Sequence, residues 1–370
     1  MHIPSLAHVL KKRIKRVPIY LQDFQHFEKE FWRSTSELHA KVGKALYHAE
    51  RNSEEISLIR ERMEELTART DLYAWELMRK GDETRLDTAQ RFFSHMPPAT
   101  GSLRLLQLGM VALLREFDEL CAKNGLNYWA IFGTLLGAFR HQGFIPWDDD
   151  IDLYMPRSDI KRLIDIVKSN PRYKVSVVWD QYAFSRQVRF MYSDPDLPCF
   201  LDLFIADYGG ENLSDFIVKQ RDMRARLQHR IKQDPQFDFW SGDNAYLNAE
   251  DPRSAIINEA FMHVREQEIE QGMISEKETS TLVWAPDNLN CSSSFSWVCH
   301  VEKLFPVQRI SFEHVECNAP ADIEGMLSET FGDIWNLPSD ITSHFAHVGK
   351  EKLREESTVR ALNKLTSHKQ

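Results

Sequence analysis

The hydrophobic positions of this chain fall into two regimes. From Leu38 to Leu77, apolar and small residues recur in alternating steps of four and three: Leu38, Val42, Ala45, Ala49, Asn52, Ile56, Ile59, Met63, Leu66, Thr70, Tyr73 and Leu77. This is a heptad seam, with Glu and Arg dense between its positions. It predicts a helix about 60 Å long at 1.5 Å per residue. Such a seam suits self-association, with Asn52 setting register or partner number, and it equally suits a helix packing back on its own domain.

Past this arm (residues 1–90) the period changes. Residues 91–102, with Pro97-Pro98 and Gly101, read as a linker. Leu103 to Lys123 keeps helical spacing through Leu106, Met110, Leu113, Leu114 and Phe117, and Asn124-Gly125 ends it. The apolar run Tyr128 to Phe132 predicts a buried strand stopped by Gly133-Thr134. A helix follows, with Leu135, Leu136 and Phe139 on one face. Gly143 breaks that helix, and Pro146 keeps Ile145 out of the helical region. The next strand carries Asp148, Asp150 and Asp152 on one side, with Ile151 and Leu153 on the other.

Farther on, the pattern predicts a helix over 157–169 and strands over Tyr173–Trp179 and Arg186–Tyr192. An apolar strand from Cys199 to Ile205 follows, with Asp202 inside it. Residues 211–290, helical in spacing over 216–232 and 254–271, predict a helical insertion or cap. The fold class is therefore α/β: a mixed sheet core with a helical insertion and an N-terminal long-helix, coiled-coil-like arm. The core occupies 103–345, and 346–370 is a charged tail, helical or disordered.

The acidic stretch brings in chemistry. Three carboxylates at this spacing repel one another, and a sheet core offers them little water. A bound divalent cation resolves the conflict, and all-oxygen ligands suit Mg²⁺, with Mn²⁺ as an alternative. Asp202 lies in so apolar a strand that it needs a partner. A metal shared with Asp150 and Asp152 supplies one, as would backbone N–H groups. Asp207, at the end of the same strand, is a weaker candidate. Gly133-Thr134, before a helix start, offers backbone N–H groups and a favourable dipole to a phosphate. Arg140, Arg186 and Arg189 are cations of the kind phosphoryl transfer uses, unless they are simply solvated, and His141 is placed to cap its helix.

The run GTLLGAFRHQGFIPWDDDIDLYMPR, residues 133–157, resembles the signature of the LicD family, which includes bacterial phosphocholine transferases and animal fukutin-related proteins. The resemblance is dense at this motif and looser over roughly 103–340, where Phe305-Pro306 and Phe331-Gly332-Asp333 with Pro338 resemble the closing pattern of the domain. It implies a nucleotidyltransferase-like core. It implies Mg²⁺-dependent transfer of a phospho-alcohol, phosphocholine or a polyol phosphate, from a CDP-linked donor to a sugar hydroxyl of a glycan or lipid-linked glycan. On this likeness Gly133 and Thr134 hold the donor pyrophosphate, and Arg140 and Arg189 reach its phosphates. Asp150 and Asp152 bind the cation, with Asp148 bound directly or through water. Asp202 completes the metal site or accepts the acceptor's proton. Two other readings stand beside it. One is nucleotidyl transfer from an NTP; the other is an inactive coiled-coil scaffold, against which the complete carboxylate set argues.

Composition narrows the setting. In 370 residues, 42% hydrophobic and 27% charged content is that of an ordinary soluble protein. A net charge of -9 argues against a broad nucleic-acid surface. No apolar run approaches a membrane span, and the N-terminus lacks the apolar core of a secretory signal. Cysteines 121, 199, 291, 299 and 317 include no CxxC pair, and Cys291-x7-Cys299-His300 matches no common zinc spacing. Buried free thiols in a reducing, cytoplasmic setting are expected. Lys11, Lys12, Arg13, Lys15 and Arg16, beside Ile14, Val17 and Ile19, make residues 1–20 either a peripheral contact at the inner membrane face or a solvated terminus.

Overall fold

The computed structural model describes residues 75–182, 184–288, 298–337 and 347–367. The chain divides into two units, 1–80 and 81–370. The heptad seam up to residue 74, the basic segment 1–20, Cys291 and Pro338 lie outside the described residues.

The second unit begins with α1 (Arg85–Ser94). Thr84 and Asp87 form a reciprocal cap: the Thr84 hydroxyl accepts from Asp87 N–H at 3.1 Å, and the Asp87 carboxylate accepts from Thr84 N–H at 2.9 Å. Phe93, on this helix, is buried against His141 and Trp335. The expected boundary of arm and linker therefore shifts, because the cap and Phe93 make 85–94 part of this unit. Helix α2 (Gly101–Asn124) ends at Gly125, whose φ of 58° favours glycine. Its buried face holds Leu106, Met110, Leu113, Leu114 and Phe117, as the spacing predicts.

The remaining elements follow in order. They are β1 (Trp129–Ala130), α3 (Phe132–His141), β2 (Asp152–Pro156), α4 (Arg157–Lys168), β3 (Tyr173–Asp180), β4 (Ser185–Tyr192) and β5 (Phe200–Gly209). Then come α5 (Phe216–Gln233), β6 (Tyr246–Asn248), α6 (Ser254–Glu270), β7 (Ile274–Ser275), β8 (Thr281–Trp284), β9 (Val298–His300), α7 (Val301–Leu304), β10 (Gln308–Phe312), β11 (Val315–Ala319), α8 (Ile323–Phe331) and α9 (Glu356–Ser367). The main sheet runs β1-β2-β5-β4-β3-β6, with β7 and β8 on β5, and β9 on β8. Only β2–β5 is parallel among these pairs; the others are antiparallel. A mixed sheet under helices, the expected α/β class, is what the chain forms.

Several expectations change. The first strand is shorter than predicted: Phe132, Gly133 and Thr134 already belong to α3. Phe132 turns the chain with φ 44°, a left-handed value that costs a non-glycine residue about 1–3 kcal/mol. Of the acidic run, only Asp152 lies on β2; Asp148 and Asp150 sit in the preceding loop. A turn from Asp148 N–H to Ile145 C=O and a bond from Gln107 Nε2 to Asp148 C=O (2.8 Å) hold that loop away from strand geometry. The insertion is also smaller than 211–290. Helices α5 and α6 pack on Trp179 and Phe184 around Trp240 and Phe261, but β7 and β8 return to the main sheet. The tail docks as well: Leu362 of α9 is buried, and a Cβ on Gly109 of α2 would stand 2.7 Å from it. Cys121, Cys199, Cys299 and Cys317 are free and buried, as expected of structural thiols. Among the described residues no helix is long and apolar enough to cross a membrane.

Candidate active site

The site grows from the parallel strand pair β2–β5. Asp152 on β2 stands opposite Asp202 on β5, so the pleat sends both carboxylates to the same face. Asp150 arrives from the loop, and one oxygen from each of the three lies within 4.8 Å of the others. Asp148 hydrogen-bonds to Asp150. Its approach depends on Gly133, where a Cβ would stand 2.7 Å from Asp148 Oδ2. The structure brings together the acids that the sequence singles out, although period-two alternation is not what assembles them.

Burial, followed by Asp152, Asp148 and Asp202, pushes the Asp150 carboxyl well above its usual range. Burial and Asp202 do the same to Asp152, with Arg189 opposing. A group of acids that resist ionising together, with oxygens this close, suits a hard divalent cation.

The basic residues are placed differently from expectation. Arg189 lies opposite Asp202 in the β4–β5 register and clamps it, with Nε to Oδ1 at 2.7 Å and Nη2 to Oδ2 at 3.2 Å. Burial disfavours the Arg189 charge, but Asp202 more than compensates. Arg189 thus orients the Asp202 carboxylate. Arg140 is buried and donates to the carbonyls of Ile334 (2.7 Å) and Asn336 (3.2 Å), with its guanidinium 4.0 Å from the centroid of the Phe93 ring. Burial lowers it to about 10. Arg140 thus fastens the segment after α8 to α3, although it also borders the cavity. Thr134 is buried, and its hydroxyl accepts from Asp152 N–H at 2.8 Å, so it secures the start of β2. His141 does not cap α3; its ring meets Phe93, and burial lowers it to about 3.

A cavity of about 750 Å³ opens over the carboxylates. Asp148, Asp150, Asp152 and Asp202 line one part of it, and Phe132, Trp147, Phe204 and Trp284 another. Phe132 stacks edge-on to Phe204 at 5.4 Å. Arg186 reaches the cavity from β4, and its Nη1 donates to Asp287 at 3.2 Å. Asp287, fully buried, also accepts from Arg157, which grips Asp207 at 2.6 and 2.7 Å. Asp207 therefore belongs to an ion-pair chain behind the site and not to the carboxylate cluster. Burial opposes the Asp287 charge, but Arg157 and Arg186 hold its carboxyl at about 2.

Two participants escape sequence reading. Asp149, on the opposite parity of the Asp run, accepts from His347 N–H (2.8 Å), Val348 N–H (3.2 Å) and His347 Nδ1 (2.9 Å). His347 lines the cavity, with Nε2 3.2 Å from Asp150 Oδ2. Nothing local in the sequence marks a histidine almost 200 positions away as a neighbour of the acids. An acid at the odd position was the available signal.

Comparison with known proteins agrees with this geometry. Residues 125–238 match the family model described as LicD/FKTN/FKRP, nucleotidyltransferase domain. The lipopolysaccharide cholinephosphotransferase LicD of Haemophilus influenzae is 36% identical over 118 residues, 29% of this chain and 44% of that protein. Uncharacterized proteins of Rickettsia prowazekii and Rickettsia typhi are each 48% identical over 52 residues, 14% of this chain and 20% and 17% of theirs. The chain spans less than half the length of these curated relatives. The matched segment runs from the end of α2 through α5 and so contains the whole carboxylate cluster, and over this segment the chain is similar to the LicD family.

Proposed function

We propose that the protein is a transferase that moves a phospho-alcohol from a CDP-linked donor to a sugar hydroxyl of a glycan, releasing CMP. The observation that carries this reading is the convergence of Asp150, Asp152 and Asp202 within 4.8 Å beneath a cavity with an aromatic wall. The match to the LicD family over residues 125–238 supports the reaction class. The printed activity of the Haemophilus influenzae relative supports choline phosphate as the group moved.

Asp150, Asp152 and Asp202 would hold Mg²⁺ or Mn²⁺, with Asp148 bonded to Asp150 beside them. When bound, the cation supplies positive charge at the donor phosphates. Asp202 serves as a ligand in preference to a base, because Arg189 engages both its oxygens and fixes its direction. Arg186 replaces Arg140 and Arg189 as the cation facing the donor, since Asp287 holds it at the cavity wall. Gly133, at the start of α3, lets both Asp148 and a phosphate approach the helix. Phe132, Phe204 and Trp284 offer ring faces to the transferred alcohol. A trimethylammonium group gains from such faces as a polyol does not, which favours phosphocholine.

Calorimetric titration with CDP-choline, CDP-ribitol, CDP-glycerol, CTP and ATP, with and without Mg²⁺, tests this. Mg²⁺-dependent binding of CDP-choline, lost in an Asp150→Asn, Asp152→Asn double variant, is the expected result. Preference for an intact triphosphate would turn the assignment to nucleotidyl transfer, and no nucleotide binding at all would overturn it.

A further inference from the structure

The geometry points to His347 as a nitrogen ligand of the cation at the carboxylate cluster, oriented for that role by Asp149. This rests on the cation site proposed above. Asp149 binds the backbone N–H of both His347 and Val348, which fixes where the histidine leaves the chain. Its other oxygen lies 2.9 Å from Nδ1. A carboxylate only accepts, so the ring proton belongs on Nδ1 and the Nε2 lone pair turns toward the cavity. There it meets Asp150 Oδ2 at 3.2 Å.

Two acceptors at that separation need a proton or a metal between them. Ligand atoms of one octahedral ion, each about 2.1 Å from it, stand about 3 Å apart along an edge. The spacing of Nε2 and Oδ2 therefore suits a shared ion. A carboxylate binding the far nitrogen of a metal-bound histidine is the usual supporting arrangement, because it fixes ring orientation and raises ligand basicity. The alternative is an imidazolium paired with both aspartates and touching no metal. The two differ in a measurable way, since a nitrogen ligand shifts preference from Mg²⁺ toward Mn²⁺.

The test uses the full chain with one equivalent of Mn²⁺, first unlabelled and then with ¹⁵N-histidine, read by pulsed electron paramagnetic resonance. Nitrogen coupling that changes isotope pattern with the label is expected, as is its disappearance in His347→Ala. Mn²⁺ affinity should fall at least about tenfold in His347→Ala and in Asp149→Asn, and the preference of the native chain for Mn²⁺ over Mg²⁺ should narrow. Should a variant not fold, the labelled native chain still decides, because His347 is the histidine lining the cavity among the described residues. Bound Mn²⁺ without nitrogen coupling overturns the ligand assignment and leaves the carboxylate site standing. No Mn²⁺ binding overturns both.

Discussion

Gly133 and Thr134 adjoin in sequence and act on opposite ends of the same loop. Gly133 leaves room for the Asp148 carboxylate, and Thr134 accepts the N–H of Asp152, where β2 begins. Gly133→Ala would place a methyl 2.7 Å from Asp148 Oδ2. A side-chain tip can retreat, so the fold should survive while Asp148 leaves Asp150. The expected outcome is a near-native melting temperature with Mg²⁺ affinity reduced at least about tenfold, read by calorimetry. Thr134→Val keeps the shape and removes the acceptor, leaving the Asp152 N–H unsatisfied. Urea unfolding should show a loss of about 1–3 kcal/mol, whereas Thr134→Ser should lose less than about 1 kcal/mol. The Gly-Thr pair was legible as important, but the sequence could not say that the hydroxyl turns inward. Arg140 is a similar case: its charge suggests a phosphate, and the carbonyls it meets, at Ile334 and Asn336, lie far along the chain.

At the scale of elements, Arg157, Asp207, Asp287 and Arg186 join the start of α4, the end of β5, the turn at 286–288 and β4. A buried carboxylate with two arginines is costly to break, because removing it takes the carboxylate from Arg186 and leaves Arg157 with Asp207 alone. Asp287→Asn is therefore expected to cost about 3–5 kcal/mol in chemical denaturation. The native contribution has a defined pH window. The folded carboxyl sits at about 2, below the ordinary 3.8. Stability from this group is thus complete above about pH 4 and is lost as pH falls through about 2. The variant should lose that acid-limb slope. Several elements were readable from period alone: α2, α4, β3, β4 and β5 lie where apolar spacing puts them. What periodicity could not reveal is the work of distant partners. Gln107, on α2, bonds the Asp148 carbonyl and keeps Asp148 and Asp150 in a loop, a constraint absent from the local pattern.

Across the whole molecule, the cap and the sheet meet through charge as well as through apolar contact. Glu268 of α6 is fully buried near Gln220 and Arg224 of α5, with Asp207 and Asp287 also close enough to repel it. Burial first, and then Asp207, raises its carboxyl to about 8, while Gln220 and Arg224 offset this only in part. The sequence showed helical spacing over 254–271 but not that a glutamate there would face inward. The sign of the consequence follows from linkage. In the folded chain Glu268 keeps its proton to about pH 8, and in the unfolded chain it releases it near 4.5. Between those values the folded state binds more protons, so this contribution is whole below about pH 4.5 and declines as pH rises to about 8. The limiting slope is about 1.4 kcal/mol per pH unit. Glu268→Gln imitates the protonated acid at every pH. It should match the native chain near pH 5 and be more stable near pH 8, flattening the decline in chemical denaturation across that range. A variant curve that falls in parallel with the native one would place the titration elsewhere and leave Glu268 ionised in the fold.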